Sequence, residues 1–303
     1  MNLIYSFYIP QTEQLVKLCK VSNNLYNQAL YLFRQALKNE DRWLWYADMD
    51  KLMKATPNLE GEINYRLLKA QVSQQILKVM EKNVKAYCKA IKDFKAHPAK
   101  YKAMPQLPSF RKRGSLFNLY YSNQSARIKD GMIRLAKNLI IPIPQWDKYK
   151  ERIQDFQQVR IIPSGKKLKV EIVYRYEIKE ADLDKSKYAS IDLGIDNLAT
   201  MVTDNGSSLY CGKFLKSYNR NFNRQLARLQ SIKDRQGIKK ATKRMQNLYE
   251  KRDRYFEDAF HKYSRMIVNH LIENRIGNLV VGYNTGWKQS VNIGKRNNQK
   301  FVQ

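Results

Sequence analysis

The chain has 303 residues with 56 Lys and Arg against 27 Asp and Glu, a formal net charge of +29, and 43% hydrophobic residues. That apolar share supports real cores and excludes a disordered tail, while the length suggests two or three domains. So large a positive excess costs self-repulsion in a compact state unless a polyanion neutralises it, which points to nucleic acid as the partner.

Cys19, Cys88 and Cys211 are far apart and form neither a disulfide framework nor a paired zinc spacing. The opening "MNLIYSFYIPQTEQ" lacks a basic n-region and a long apolar core, and no stretch approaches a membrane span. The expected setting is a reducing cytoplasm without a membrane partner. His97, His261 and His270 have no partner spacing and are assigned no chemistry.

"NLIYSFYIP" alternates and is rich in β-branched and aromatic residues, so it is predicted as a strand ending at Pro10. A helix follows with Thr12 as its cap and Leu15, Leu18, Leu25, Ala29, Phe33 and Leu37 along one side. A second long helix is predicted from about Tyr65 to Phe94, with Val72, Ile76, Val79 and Val84 on its stripe. These stripes are read as helix-packing core.

From Phe94 to Lys129 there is no acidic residue. Lys100, Lys102, Arg111, Lys112 and Arg113 fall in that span, among prolines and the aromatics Phe110, Phe117, Tyr120 and Tyr121. Cations neutralise phosphates and aromatic faces stack on bases, so these five are candidate nucleic-acid contacts. A solvated basic loop is the alternative. "SLFNLYYS", "GMIRLAKN", "QVRIIPSG" and "KLKVEIVYRYEI" then read as short strands of a small antiparallel barrel or sheet, resuming the one begun at residues 2–9.

"YASIDLG" reads as one strand and "NLATMVTDNGSSLYC" as a hairpin turning at Asp204-Asn205-Gly206. Between Lys213 and Arg254 there are 14 Lys and Arg against the three acids Asp234, Glu250 and Asp253. This region is predicted as two helices broken near Gly237, with a phosphate-tracking face. Arg224, Arg228, Lys239, Lys240, Lys243 and Arg244 are its candidate contacts. A further amphipathic stretch carries Phe260, Ile267, Leu271 and Ile272, and "IGNLVVGYN" reads as a buried strand. Beyond it, Lys288 is a candidate contact, and Trp287 either stacks on nucleic acid or anchors its loop.

Asp192 ends an apolar β run and is followed by Gly194, so it is either a turn-former or a metal ligand. Asp196 and Asp204 are read as surface turn acids. The order strand, acid, glycine, hairpin, helix and strand suits a ribonuclease H-like core, whose chemistry needs converging carboxylates around a pair of Mg²⁺ or Mn²⁺ ions.

"IDLGIDNLAT" resembles the first RuvC-like motif of the OrfB/TnpB family of insertion-sequence proteins, matching at Asp192, Gly194, Leu198, Ala199 and Thr200. The whole chain agrees with that family, down to the basic "LPSFRKRGS" that re-enters the barrel. The resemblance implies an RNA-guided DNA endonuclease, related to type V CRISPR effectors, whose partners are a guide RNA and target DNA. It implies an α+β multi-domain fold: a helical recognition domain (11–107) inserted in a small β-barrel or wedge domain (1–10 and 108–185). An incomplete RuvC-like nuclease domain (186–303) follows, with a basic helical insertion at 213–275. Asp192 becomes the catalytic residue and first metal ligand, with Mg²⁺ or Mn²⁺ as cofactor.

The family pattern is not complete here. Where most members end the corresponding strand in glutamate, "LVVGYN" places Gly282, and "GYNTGWKQSVNIGKRNNQ" resembles branches that carry the second acid elsewhere. Glu257 and Glu273 are available but read as solvated helix acids. The family's third acid and four-cysteine zinc module lie downstream, so the resemblance implies a C-terminally truncated chain with no zinc site. Three functions remain open: a nuclease completed by further residues, a guide-dependent DNA binder without cleavage that acts as a repressor, and a decayed element remnant. Strand transfer by a tyrosine nucleophile has no support, because no histidine pair flanks a tyrosine.

Overall fold

The computed structural model describes residues 1–177, 180–194, 196–282 and 294, and it divides into two compact units, 1–178 and 179–303. In the first unit, strand β1 (Asn2–Pro10) forms as its alternation predicts. Helix α1 (Glu13–Glu40) starts where Thr12 Oγ1 accepts from the Leu15 amide and ends at Asp41 in the left-handed region. Leu15, Cys19, Tyr26, Leu30 and Phe33 share its buried stripe at helical spacing.

Helix α2 (Tyr46–Met53) follows, an element too short to show a period in the sequence. Helix α3 (Ala70–Ala96) begins five residues later than its apolar stripe suggests. Turns occupy 64–68, fixed by Ser73 Oγ donating to Tyr65 O and by Tyr65 OH donating to Asp50.

Strand β2 (Leu119–Ser122) and the hairpin of β6 (Phe156–Ser164) and β7 (Lys167–Arg175) join β1 in one sheet of order β1-β7-β6-β2. β1 pairs antiparallel with β7 along its length, from Asn2 opposite Arg175 to Pro10 opposite Lys167. β3 (Arg127–Lys129), β4 (Met132–Ala136) and β5 (Leu139–Pro142) form a separate three-stranded sheet. The expected small barrel is therefore corrected to two open sheets. The four-stranded sheet ends on β1 at one edge and on β2 at the other, and β1 and β2 do not pair. Helix α4 (Trp146–Ile153) links β5 to β6. One continuous apolar cluster, from Phe7 to Tyr174, packs these elements together.

The second unit is a sheet of order β10-β9-β8-β11, built from β8 (Asp184–Asp192), β9 (Asn197–Thr203), β10 (Gly206–Cys211) and β11 (Ile276–Val281). The Asp204–Gly206 turn closes the β9–β10 hairpin as its sequence predicts. β11 runs parallel to β8 after a crossover through two helices, α5 (Lys213–Arg235) and α6 (Lys243–Glu273). The break between them falls at Gly237, in the left-handed region at φ 64°. The amphipathic stretch around Ile267 is the second half of α6 and not a separate helix. The core here is small: Ala189, Ile191, Ala199, Met201, Tyr210 and Ile276 pack under Tyr263, Ile267 and Leu271 of α6. No described helix is long and apolar enough to cross a membrane.

Candidate nucleic-acid interface and the Asp192 centre

Asp192 is the last residue of β8, paired with Thr200 on β9. Side chains alternate along a strand, and Ala189 and Ile191 face α6, so Ser190 and Asp192 lie on the opposite, uncovered face. Asp192 is exposed there. The glycine that follows has a steric cause: a Cβ on Gly194 would come within 2.7 Å of the Asn197 carbonyl oxygen. The chain doubles back tightly beside Asp192, which leaves its carboxylate at an open strand end.

β11 brings Gly282 to the same place. Its amide donates to Ile191 O at 3.0 Å, and a Cβ built on it would lie 3.8 Å from Asp192 Oδ1. A carboxylate at position 282 would therefore stand beside Asp192, and glycine supplies none. Glu257 and Glu273 are exposed on α6, the helix that covers the face of the sheet opposite Asp192. Asp196 accepts from Lys216 Nζ at 2.7 Å. Among the described residues no three His, Cys, Asp or Glu side chains stand together as a metal-binding group. One exposed carboxylate does not fit a pair of divalent ions, which need several charged oxygens at fixed distances.

The basic candidates divide by location. Lys100 is tied to Asp93 at 2.7 Å, and its charge is matched within the fold. The same carboxylate accepts from Tyr101 OH, and these donors, Lys100 foremost, hold Asp93 below its ordinary pKa. Lys102, Lys112 and Arg113 are exposed. Arg111 turns inward: its guanidinium sits 4.1 Å from the Phe117 ring centroid and its Nε donates to Asn23 Oδ1 at 3.2 Å. Arg111 thus holds the segment that presents its two neighbours.

In the second unit Arg224, Arg228, Lys239, Lys240, Lys243 and Arg244 are all exposed. Arg220, which composition alone did not single out, stands four residues before Arg224. Spacing of i, i+4 and i+8 puts Arg220, Arg224 and Arg228 on one stripe of α5, about 6 Å apart along the axis. An aromatic seam holds the hairpin beneath these charges. Tyr218 and Tyr255 stack with centroids 4.0 Å apart, and Arg252 lies 5.1 Å and 4.8 Å from the Phe222 and Phe256 rings. Lys288 and Trp287 lie outside the described residues.

The sequence reading also missed a line of α1 side chains, Asn23, Asn27 and Arg34, that grips the basic segment. Their signal was present, as polar residues at i, i+4 and i+11 beside an apolar stripe. Nothing in one sequence says what such residues hold.

These two units form a mixed α+β protein. Residues 171–288, which include the sheet carrying Asp192, match the OrfB/IS605 family model, described as a probable transposase. The likeness to that family extends over these residues, less than half of the chain. Among solved structures, a Cas12f1–sgRNA–target DNA complex determined by cryo-EM matches with TM-score 0.50 and 13% identity, over 89% of this chain and 64% of that one. A CRISPR–Cas12f ternary complex matches at TM-score 0.33 and 10% identity, over 89% and 62%. This chain spans less than two thirds of the length of either. The first likeness is one of fold. No curated protein matches the chain.

Proposed function

We propose that the chain is a guide-RNA-dependent DNA-binding protein of the OrfB/TnpB type, in which the residues described here do not cleave DNA. The observation that carries this reading is the pairing of Asp192 with Gly282. The strand ends that a RuvC-like centre would use meet, and one of them has no side chain. Mg²⁺ or Mn²⁺ is the cofactor of the complete nuclease in this reading, with Asp192 as first ligand. Cleavage would need further carboxylates from outside the described residues.

In this scheme base pairing between RNA and DNA carries the sequence information, and the protein supplies charge and shape. We assign the helical region 11–107 to recognition, and 1–10 with 108–185 to the wedge. Residues 186–303 form the RuvC-like unit, with 213–275 as its basic insertion. The net charge of +29 and the exposed cations of both units support a polyanionic partner. The fold likeness to a protein solved with an sgRNA and target DNA supports RNA as part of that partner. A cytoplasmic location is part of the same reading.

The test is to express the gene with its flanking DNA, purify the chain at moderate salt and sequence the RNA that accompanies it. One abundant RNA encoded next to the gene is the expected result. Absence of RNA, or a random sample of cellular RNA, contradicts guide dependence.

A further inference from the structure

The segment 108–118 runs antiparallel to α1 and is hydrogen-bonded to it at Pro108, Arg111, Lys112, Ser115, Phe117 and Asn118. Arg34 Nη2 donates to Pro108 O at 2.6 Å while its guanidinium lies 4.8 Å from the Phe110 ring centroid. Asn27 meets Arg111 from both sides: Nδ2 donates to the carbonyl and Oδ1 accepts from the amide, each at 2.8 Å. That is the pair of hydrogen bonds a neighbouring strand would make. Asn23, at 0% exposure, donates from Nδ2 to Lys112 O at 3.2 Å and accepts from Ser115 Oγ at 3.1 Å.

The segment also closes on itself. The Ser115 amide donates to Lys112 O at 3.1 Å, and Gly114 takes φ +72°. A turn with a positive φ at its third residue is of the type II kind, and glycine is the residue that adopts it without strain. Nothing lies within 4 Å of where a Gly114 Cβ would stand, so the requirement is purely conformational. Lys112 and Arg113 project from this turn exposed, and neither has an ion pair among the described residues.

A buried amide costs free energy unless all its bonds are made. Here two asparagines of a core helix are committed to the backbone of a solvent-exposed basic turn. This latch fixes where Lys112 and Arg113 stand on the surface. We propose that Lys112–Ser115 is a preformed site for a nucleic-acid backbone phosphate, with Lys112 and Arg113 as its cations and Asn23 and Asn27 as positioning residues. The proposal rests on the nucleic-acid reading above. Because the turn is already ordered, binding does not bear the cost of ordering it, so affinity depends on the latch as well as on the charges.

The experiment pairs limited trypsin digestion with binding measured across a salt series, using a labelled single-stranded RNA and a mixed-sequence DNA duplex as probes. In the wild type, the bonds after Arg111, Lys112 and Arg113 stay intact while exposed Lys239 and Lys240 are cut. Asn27→Ala exposes the 111–113 bonds and weakens binding roughly three- to tenfold with the salt slope unchanged, because the contacts still form once ordered. Lys112→Ala/Arg113→Ala lowers the slope of log K against log salt by about 0.7–0.9, as expected for one lost phosphate contact. Asn27→Ala is preferred to Asn23→Ala because Asn27 is only partly buried, and a cooperative melt confirms that the variant folds. An unchanged slope for the double variant, or wild-type affinity for a nicked Asn27→Ala protein, overturns this inference alone. Failure of the wild type to bind either probe overturns the nucleic-acid reading with it.

Discussion

Helices α1 and α6 are of similar length, 28 and 31 residues, yet they serve their units in opposite ways. α1 buries Leu15, Cys19, Leu25, Leu30 and Phe33 along its length and uses its flank to hold a basic loop. α6 fully buries only Met245 and Ala259, and α5 only Leu215 and Phe222. The first unit is a finished core that fixes its cations in place. The second is a small sheet with a charged hairpin held by stacked aromatics, leaving Phe260, Met266 and Ile272 of α6 exposed. A helix of high charge and little burial gains most from a partner that neutralises it, so under the proposed function the second unit depends on nucleic acid more than the first.

The sharpest way to break that comparison is to truncate one aromatic in each helix. Phe33→Ala should cost about 3–5 kcal/mol of unfolding free energy, the range for emptying a fully buried aromatic site. Phe260→Ala, at 49% exposure, should stay within about 0.5 kcal/mol. Denaturant unfolding of both variants measures this, and equal costs would show that the second unit is as tightly packed as the first.

Next in size is Arg252, between Phe222 and Phe256 with its Nε donating to Asn219 Oδ1 at 2.8 Å. Arg252→Ala should loosen the hairpin by about 1–2 kcal/mol, two cation–π contacts at a partly screened site. Hydrogen exchange should then speed up in α5 and α6 and stay unchanged in α1. Faster exchange spread evenly over the chain would mean that the seam is not local.

A smaller effect concerns Asp93, whose pKa Lys100 and Tyr101 hold below its ordinary 3.8. A depressed carboxyl stabilises the fold above the unfolded value and loses that contribution as pH falls through the folded one. The melting difference between wild type and Asp93→Asn should therefore be present at neutral pH and vanish in acid, below the folded value. A difference that persists there would rule out the carboxylate as its source.

The smallest effect is one of reactivity. Burial pushes the Cys19 thiol up to about 12, whereas Cys211 is exposed. An alkylating reagent at neutral pH should label Cys211 first and reach Cys19 only on unfolding. Labelling of Cys19 in the native protein would mean that α1 opens readily.

Where local chemistry decides an element, the sequence was enough to place it. Thr12 caps α1, Asp204–Gly206 turns the hairpin, and Gly237 separates the two basic helices. Gly282 was placed at the expected second-carboxylate position by the family resemblance, and the parallel pairing of β11 with β8 is what sets it beside Asp192. What escaped depends on contacts distant in sequence. Barrel closure is set by which edges meet, and the strand pattern does not record that β1 and β2 remain apart. Asn23 and Asn27 look like ordinary polar positions of an amphipathic helix until a segment more than 80 residues away is laid along them. Arg111 and Lys100 were grouped with their exposed neighbours because composition counts charges without seeing that Phe117 and Asp93 already engage them.

One assay reaches the Asp192–Gly282 pair most directly. The chain, loaded with the RNA that co-purifies with it, is mixed with a DNA duplex matching that RNA in the presence of Mg²⁺ or Mn²⁺. Binding and cleavage are then followed in the same samples. The expected result is a stable, sequence-dependent complex with the DNA intact, unaffected by Asp192→Ala. Cleavage that depends on the metal and disappears in Asp192→Ala would contradict it, showing that a working centre forms around Asp192 despite the glycine at 282.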